Sequence, residues 1–161
     1  MIVVSNTSPI VNLAAIGQLD LLRLLYGKVA IPQAVYNEIV VTGTGQPGAT
    51  EVETFDWIEI KQATNQAAVA SLKLELDEGE AEAIALALEL KADLLLLDER
   101  KGRMTASRLG LKFIGLLGVL MEAKHKGLIL AIRPIMDDLI GKAGFWISQK
   151  LYDHVLQAAG E

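Results

Sequence analysis

Short apolar runs alternate with longer stretches of helical period along this chain. Ile2–Ser5, Val29–Ile31, Trp57–Ile60 and Leu94–Leu97, with a shorter piece at Lys112–Ile114, have the length and boundaries of strands. Between them, Leu19–Leu25, Gln33–Val41, Ala67–Leu74, Asp77–Leu90 and Arg100–Leu109 have the spacing of helices. Leu116–Lys126, Ile132–Ile140 and Ser148–Ala158 extend that pattern through the C-terminal third. Such alternation specifies an α/β domain around a mostly parallel sheet of about five strands. The segment Thr42–Thr50, TGTGQPGAT, reads as the one clear loop. It lacks the Lys-Ser/Thr ending of a phosphate-binding loop and does not lead from a strand, so it is expected to be a flexible connection. Residues 1–161 contain no internal repeat and no domain boundary. The pattern does not specify how the helices beyond about residue 130 pack.

Composition narrows the class. A chain of 161 residues with 52% apolar content can bury a core as a single domain. It has no cysteine, which removes disulfides, thiolate metal sites and cysteine nucleophiles and suits a reducing compartment. The N-terminus has no basic n-region, so a signal peptide is not expected. No uncharged apolar stretch approaches the roughly 20 residues of a membrane helix. A soluble, cytoplasmic protein without membrane association is therefore expected. The net charge of −5 counts against a nucleic-acid binder taken by itself. Divalent cations held by carboxylates reverse that sign locally.

Four polar residues then carry the chemistry. Asn6 interrupts the first strand in VVSNTSPI, where a strand hands over to a helix, and an asparagine there is either a turn residue or part of a site. In DEGEAEAIALALEL, a step of about 100° per residue puts Ala83, Ala87, Glu80, Ile84, Leu88 and Ala81 on one arc. Glu82 and Glu89 fall opposite, marking a solvent face. A carboxylate within the apolar arc must be paired, ligated or protonated. Glu80 also stands three residues after Asp77, the spacing of a capping box. Glu38 borders the apolar stripe of PQAVYNEIVV, as a ligand or as a solvated flank. Asp98 follows the LLLL strand and either joins a site or caps the next helix. Ligands of parallel α/β sheets bind beyond the carboxyl ends of the strands, and the four residues belong to that one edge. Three carboxylates and an amide oxygen form a hard donor set of the kind Mg²⁺ or Mn²⁺ prefers.

The stretches VVSNTSPI, IPQAVYNEI, LDEGEAEAIALA and LLLLDERKGR, in that order and spacing, resemble those of the PIN-domain nucleases. The likeness is greatest to the prokaryotic branch related to the VapC-type toxins of toxin–antitoxin pairs, and it spans Met1 to about Lys126. It implies a three-layer α/β/α sandwich. It also implies a quartet, Asn6, Glu38, Glu80 and Asp98, that holds one or two Mg²⁺ or Mn²⁺ ions for hydrolysis of RNA, with Glu38, Glu80 and Asp98 as the catalytic carboxylates. Thr7 or Ser8 matches a hydroxyl residue that follows the first ligand in that family. The chain departs from the pattern at Asn6, where the family carries an aspartate; the amide keeps an oxygen ligand but loses a charge and cannot act as a base. A catalytically impaired PIN-like module that binds protein or RNA is the alternative. A doubly wound domain for a small phosphorylated ligand is another.

Arg100, Lys101, Arg103 and Arg108 follow Asp98 and are candidates for phosphate contacts, or form a solvated helix face. The resemblance further implies a homodimer and a small antitoxin partner. Apolar excess in Leu19–Leu25 suits either a dimer face or core burial.

Overall fold

The computed structural model describes residues 1–161. Five strands, β1 (Val3–Ser5), β2 (Val29–Ile31), β3 (Ile58–Ile60), β4 (Leu94–Leu96) and β5 (Phe113–Ile114), form one sheet in the order β3-β2-β1-β4-β5. Every pairing is parallel, with Val4 opposite Ala30 on one side and Leu95 on the other. The expected α/β architecture is the observed one.

Side chains alternate across the sheet with the two-residue period of a strand. Val3, Val29, Ile31 and Leu96 enter one core with helices α1 (Thr7–Ala15), α2 (Asp20–Tyr26), α8 (Leu116–His125), α9 (Arg133–Gly141) and α10 (Gln149–Ala158). Val4, Ala30, Leu95 and Leu97 enter a second core with α5 (Gln66–Leu72), α6 (Glu78–Leu90) and α7 (Arg100–Arg108). Two covered faces give three layers, and they explain why the central strands are apolar at successive positions.

Two helices stand where periodicity predicted none. α1 follows the Asn6 junction, and α4 (Ala49–Thr54) begins inside the expected loop, after Gly48 at φ 94°. Both are short and partly polar, so tertiary burial of Ile10, Leu13 and Val52 stabilises them more than propensity does. The expected helix Gln33–Val41 is α3 (Gln33–Tyr36) running into a π-turn over Asn37–Thr42. Gly43 ends that turn, where a Cβ would stand 2.6 Å from the Ile39 carbonyl oxygen. Leu19, Leu21 and Leu22 are buried in the chain's own core, so most of the apolar excess of Leu19–Leu25 is core, leaving Leu24 exposed.

α6 is buried nearly all round, its alanines Ala81, Ala83, Ala85 and Ala87 admitting close neighbours. The expected solvent face holds at Glu89, which is exposed, and only in part at Glu82, which is half-buried; each carboxylate also binds a backbone amide. Glu82 Oε1 accepts the Ala34 N–H at 3.1 Å, and Glu89 accepts the Asn65 N–H at 2.6 Å. Both carboxylates satisfy free amides at the starts of neighbouring helices, which a single-helix projection cannot reveal.

Candidate active site

Because all strands are parallel, β1, β2 and β4 end at one edge. The chain leaves β1 for β2 on one side and reaches β4 on the other, so the topological switch point lies between β1 and β4. Asn6 and Asp98 stand just beyond those two strands. Glu38 comes from the π-turn beyond β2, and Glu80 from the first turn of α6.

Asn6 occupies the N-cap position of α1 with extended backbone (φ −79°, ψ 176°), yet its side chain accepts no hydrogen bond from the helix. The residue is only 5% exposed. Its amide is therefore neither a solvated turn residue nor a cap. Thr7 donates its hydroxyl to Glu38 Oε2 at 2.7 Å, fixing an otherwise exposed carboxylate. The other oxygen, Oε1, lies 2.5 Å from the point where a Cβ on Gly79 would stand, and Asn6 Oδ1 lies 3.5 Å from the same point. The bare backbone at Gly79 thus lets both oxygens approach the first turn of α6, where free amides favour negative charge.

Asp77 caps α6, its Oδ1 accepting the Glu80 N–H at 2.8 Å. Only this half of a capping box forms: the Glu80 carboxylate is not bound to its own helix start. Glu80 is 7% exposed. Burial pushes its carboxyl up to about 7, with the negative charges of Asp77, Glu99 and Glu38 adding to the effect.

Asp98 is also largely enclosed. Its Oδ1 accepts the Leu116 N–H at 2.9 Å and faces Arg103 Nη2 at 3.6 Å, while Oδ2 is buried with no partner. Burial raises this carboxyl above the usual range, against the opposing pull of the Leu116 N–H and Arg103. Arg103 donates Nε–H to the Leu97 carbonyl at 2.9 Å and lies 5.8 Å from the Phe113 ring centroid. Gly115 makes this packing possible, since a Cβ there would overlap Arg103 Nη2 and stand 2.8 Å from Asp98 Oδ1.

No three acidic or imidazole side chains stand close enough to form a ready-made ion cage. The donors nonetheless fit a divalent cation. They are hard oxygens, one of them, Asp98 Oδ2, is buried without a partner, and Glu80 is held partly protonated by burial among like charges.

Ser8 lines a cleft of about 720 Å³ together with Asp98, Glu99 and Arg103, and its Oγ accepts from Asn12 Nδ2 at 3.0 Å. The basic residues of α7 divide. Arg103 reaches the cleft, Arg100 is exposed at the helix start, and Lys101 borders a separate concavity with Leu74 and Met104. Arg108 pairs there with Glu75 at 3.4 Å. Gly79, Gly115 and the cleft aromatics Phe113, Phe145 and Trp146 escaped sequence reasoning. The aromatic-bearing segment GFWIS, between two helical patterns, was the one available signal.

A family profile described as DUF3368, a PIN domain, matches residues 2–161. Among curated proteins, none matches the chain significantly. Among solved structures, a PilT N-terminus domain protein from the hyperthermophilic archaeon Sulfolobus solfataricus P2 superposes with a TM-score of 0.55 at 20% identity. That likeness covers 76% of this chain and 93% of the other and supports the fold.

Proposed function

Because the chain belongs to the DUF3368 family of PIN domains, a class of domains that are generally nucleases, we propose that it is a divalent-metal-dependent ribonuclease hydrolysing RNA phosphodiester bonds. The observation that carries the proposal is the buried, unpartnered Oδ2 of Asp98 at the switch point of the sheet. A carboxylate oxygen so enclosed is satisfied by a proton or by a cation, and the other hard oxygens at this sheet edge favour the cation.

Asp98, Glu80, Glu38 and the amide oxygen of Asn6 would hold Mg²⁺ or Mn²⁺. When bound, such an ion lowers the pKa of water and neutralises charge on phosphate oxygens. The chain's own residues have distinct parts. Thr7 orients Glu38 through its hydroxyl, and the Leu116 N–H orients Asp98. Arg103, tethered to the Leu97 carbonyl, keeps its guanidinium beside Asp98, where a phosphate oxygen can bind it. Glu80, whose carboxyl is pushed up to about 7 without a metal, would release its proton on binding the cation.

Incubating RNA with the protein and Mn²⁺ tests the proposal: cleavage should fall about 100-fold or more in Asp98→Asn. Equal rates in the two proteins would remove Asp98 from the chemistry. The toxin-type role, with cytoplasmic action on RNA, a homodimer and a small antitoxin, follows from the resemblance of the four motifs, and co-purification with the product of a neighbouring reading frame tests it.

Asn6 favours a second proposal, a catalytically impaired module that binds its partner without hydrolysis. Its neutral side chain leaves the quartet one charge short. Calorimetry separates the two, since an inert module takes up no Mn²⁺ at millimolar concentration.

A further inference from the structure

We infer that the cleft beside Asp98 is a nucleobase subsite, in which the indole of Trp146 stacks on an unpaired base of a single-stranded nucleic acid. The inference deepens the proposed function, taking its substrate class from that proposal. Trp146 is 82% exposed and shares the cleft with Phe113, Arg103, Asp98, Asn12 and Ser8. Its exposure does not come from a loose tail. The segment joining α9 to α10 is fixed on both sides of it: Phe145 donates its N–H to the Leu139 carbonyl at 2.9 Å and packs on the first core, and Ser148 caps α10 by accepting the Leu151 N–H at 3.1 Å. Gly144, at φ 71°, makes the turn that admits this course. A large apolar ring is thus held in water at the rim of the cleft that contains Asp98.

Charge indicates what the ring contacts. The charged residues lining the cleft are Asp98, Glu99 and Arg103, and the whole chain carries −5. Release of counterions from phosphates therefore supplies little affinity for a polyanion. Stacking is the other general source of affinity for single strands, and it accepts any base. The cleft volume of about 720 Å³ accommodates a nucleotide, and the Ser8–Asn12 pair offers polar contacts to a base edge. A duplex, whose bases are already stacked on one another, has no free face to present.

Intrinsic fluorescence tests the subsite, because the second tryptophan, Trp57, is buried and Trp146 is the exposed reporter. The chain of residues 1–161, with Ca²⁺ in place of Mn²⁺ to suppress cleavage, is titrated with a short uridine oligomer, its deoxyribose counterpart and a duplex. Saturable quenching by both single strands and none by the duplex is expected. By calorimetry, which needs no tryptophan reporter, Trp146→Ala should weaken binding about tenfold, and Trp146→Phe should recover most of it. Raising salt from about 50 to about 200 mM should change the dissociation constant by less than about tenfold. Equal affinity of wild type and Trp146→Ala for the single strand overturns the subsite, as does quenching by apolar peptides in place of oligonucleotides. Cleavage of RNA with Mn²⁺ by a Trp146→Ala variant at the wild-type rate and affinity also overturns it while leaving the hydrolase proposal standing. Stacking without any cleavage keeps the subsite and removes hydrolysis.

Discussion

Gly79→Ala separates stability from function at this site. A Cβ at position 79 would stand 2.5 Å from Glu38 Oε1, 3.2 Å from its Cδ and 3.5 Å from Asn6 Oδ1. The carboxylate must retreat by about 1 Å to reach ordinary contact distance. That movement stretches or breaks its 2.7 Å bond from Thr7. The bond lies at the exposed surface, so water replaces much of it and the loss is about 0.5–1.5 kcal/mol. Alanine in place of glycine within a helix returns about 0.5–1 kcal/mol. The two nearly cancel, and thermal unfolding should shift by no more than a few degrees. Metal affinity has no such compensation: displacing the Glu38 donor should weaken Mn²⁺ binding about 10–100-fold. Calorimetric titration with Mn²⁺ beside a melting curve measures both. A folded variant that binds Mn²⁺ as wild type does would refute the placement of Glu38 as a ligand.

Three further outcomes are expected. Asn6→Asp adds a buried carboxylate close to Glu38, so the metal-free variant should lose about 1–3 kcal/mol of stability while gaining tenfold or more in Mn²⁺ affinity; a gain in neither melting shift with Mn²⁺ nor RNA cleavage would count against a cation at that position. In the metal-free protein, Glu80 binds a proton in the folded state between its ordinary 4.5 and its raised value of about 7, whereas the unfolded chain has released it. Stability from this group is therefore fully present below about 4.5 and falls as pH rises through about 7. Denaturant midpoints of wild type and Glu80→Gln should diverge across that window, the glutamine variant lacking the fall, and parallel curves would show that Glu80 keeps its ordinary pKa. Gly115→Ala must expel Arg103 from its place beside Asp98, costing the Leu97 and Asp98 contacts and about 1–3 kcal/mol. An unchanged melting temperature would mean that Arg103 has a second seat of equal quality.

Local pattern and long-range packing divide this molecule unequally. The strand positions, the parallel α/β class and the order of Asn6, Glu38, Glu80 and Asp98 were legible in the chain because period and junction chemistry are local properties. The sequence could state that a carboxylate at Glu80 lies on an apolar arc, but not whether Asp77 and Glu80 cap each other reciprocally. The fold decided that, leaving Glu80 free of its own helix start. That Glu82 and Glu89 accept backbone amides was not legible, because a projection of one helix contains no neighbouring segment. α1 and α4 have too weak a stripe to be read alone and exist because the rest of the core accepts Leu13 and Val52. Nothing local distinguishes Arg103 from Lys101, two residues apart on one helix; packing against β5 turns one into the cleft, and the other borders a different concavity. The chain by itself determined which donors exist and at which strand ends they fall. Tertiary structure alone determined that Gly79 and Gly115 make room for them and that Trp146 stands exposed beside Asp98, because these depend on contacts between segments far apart in the chain.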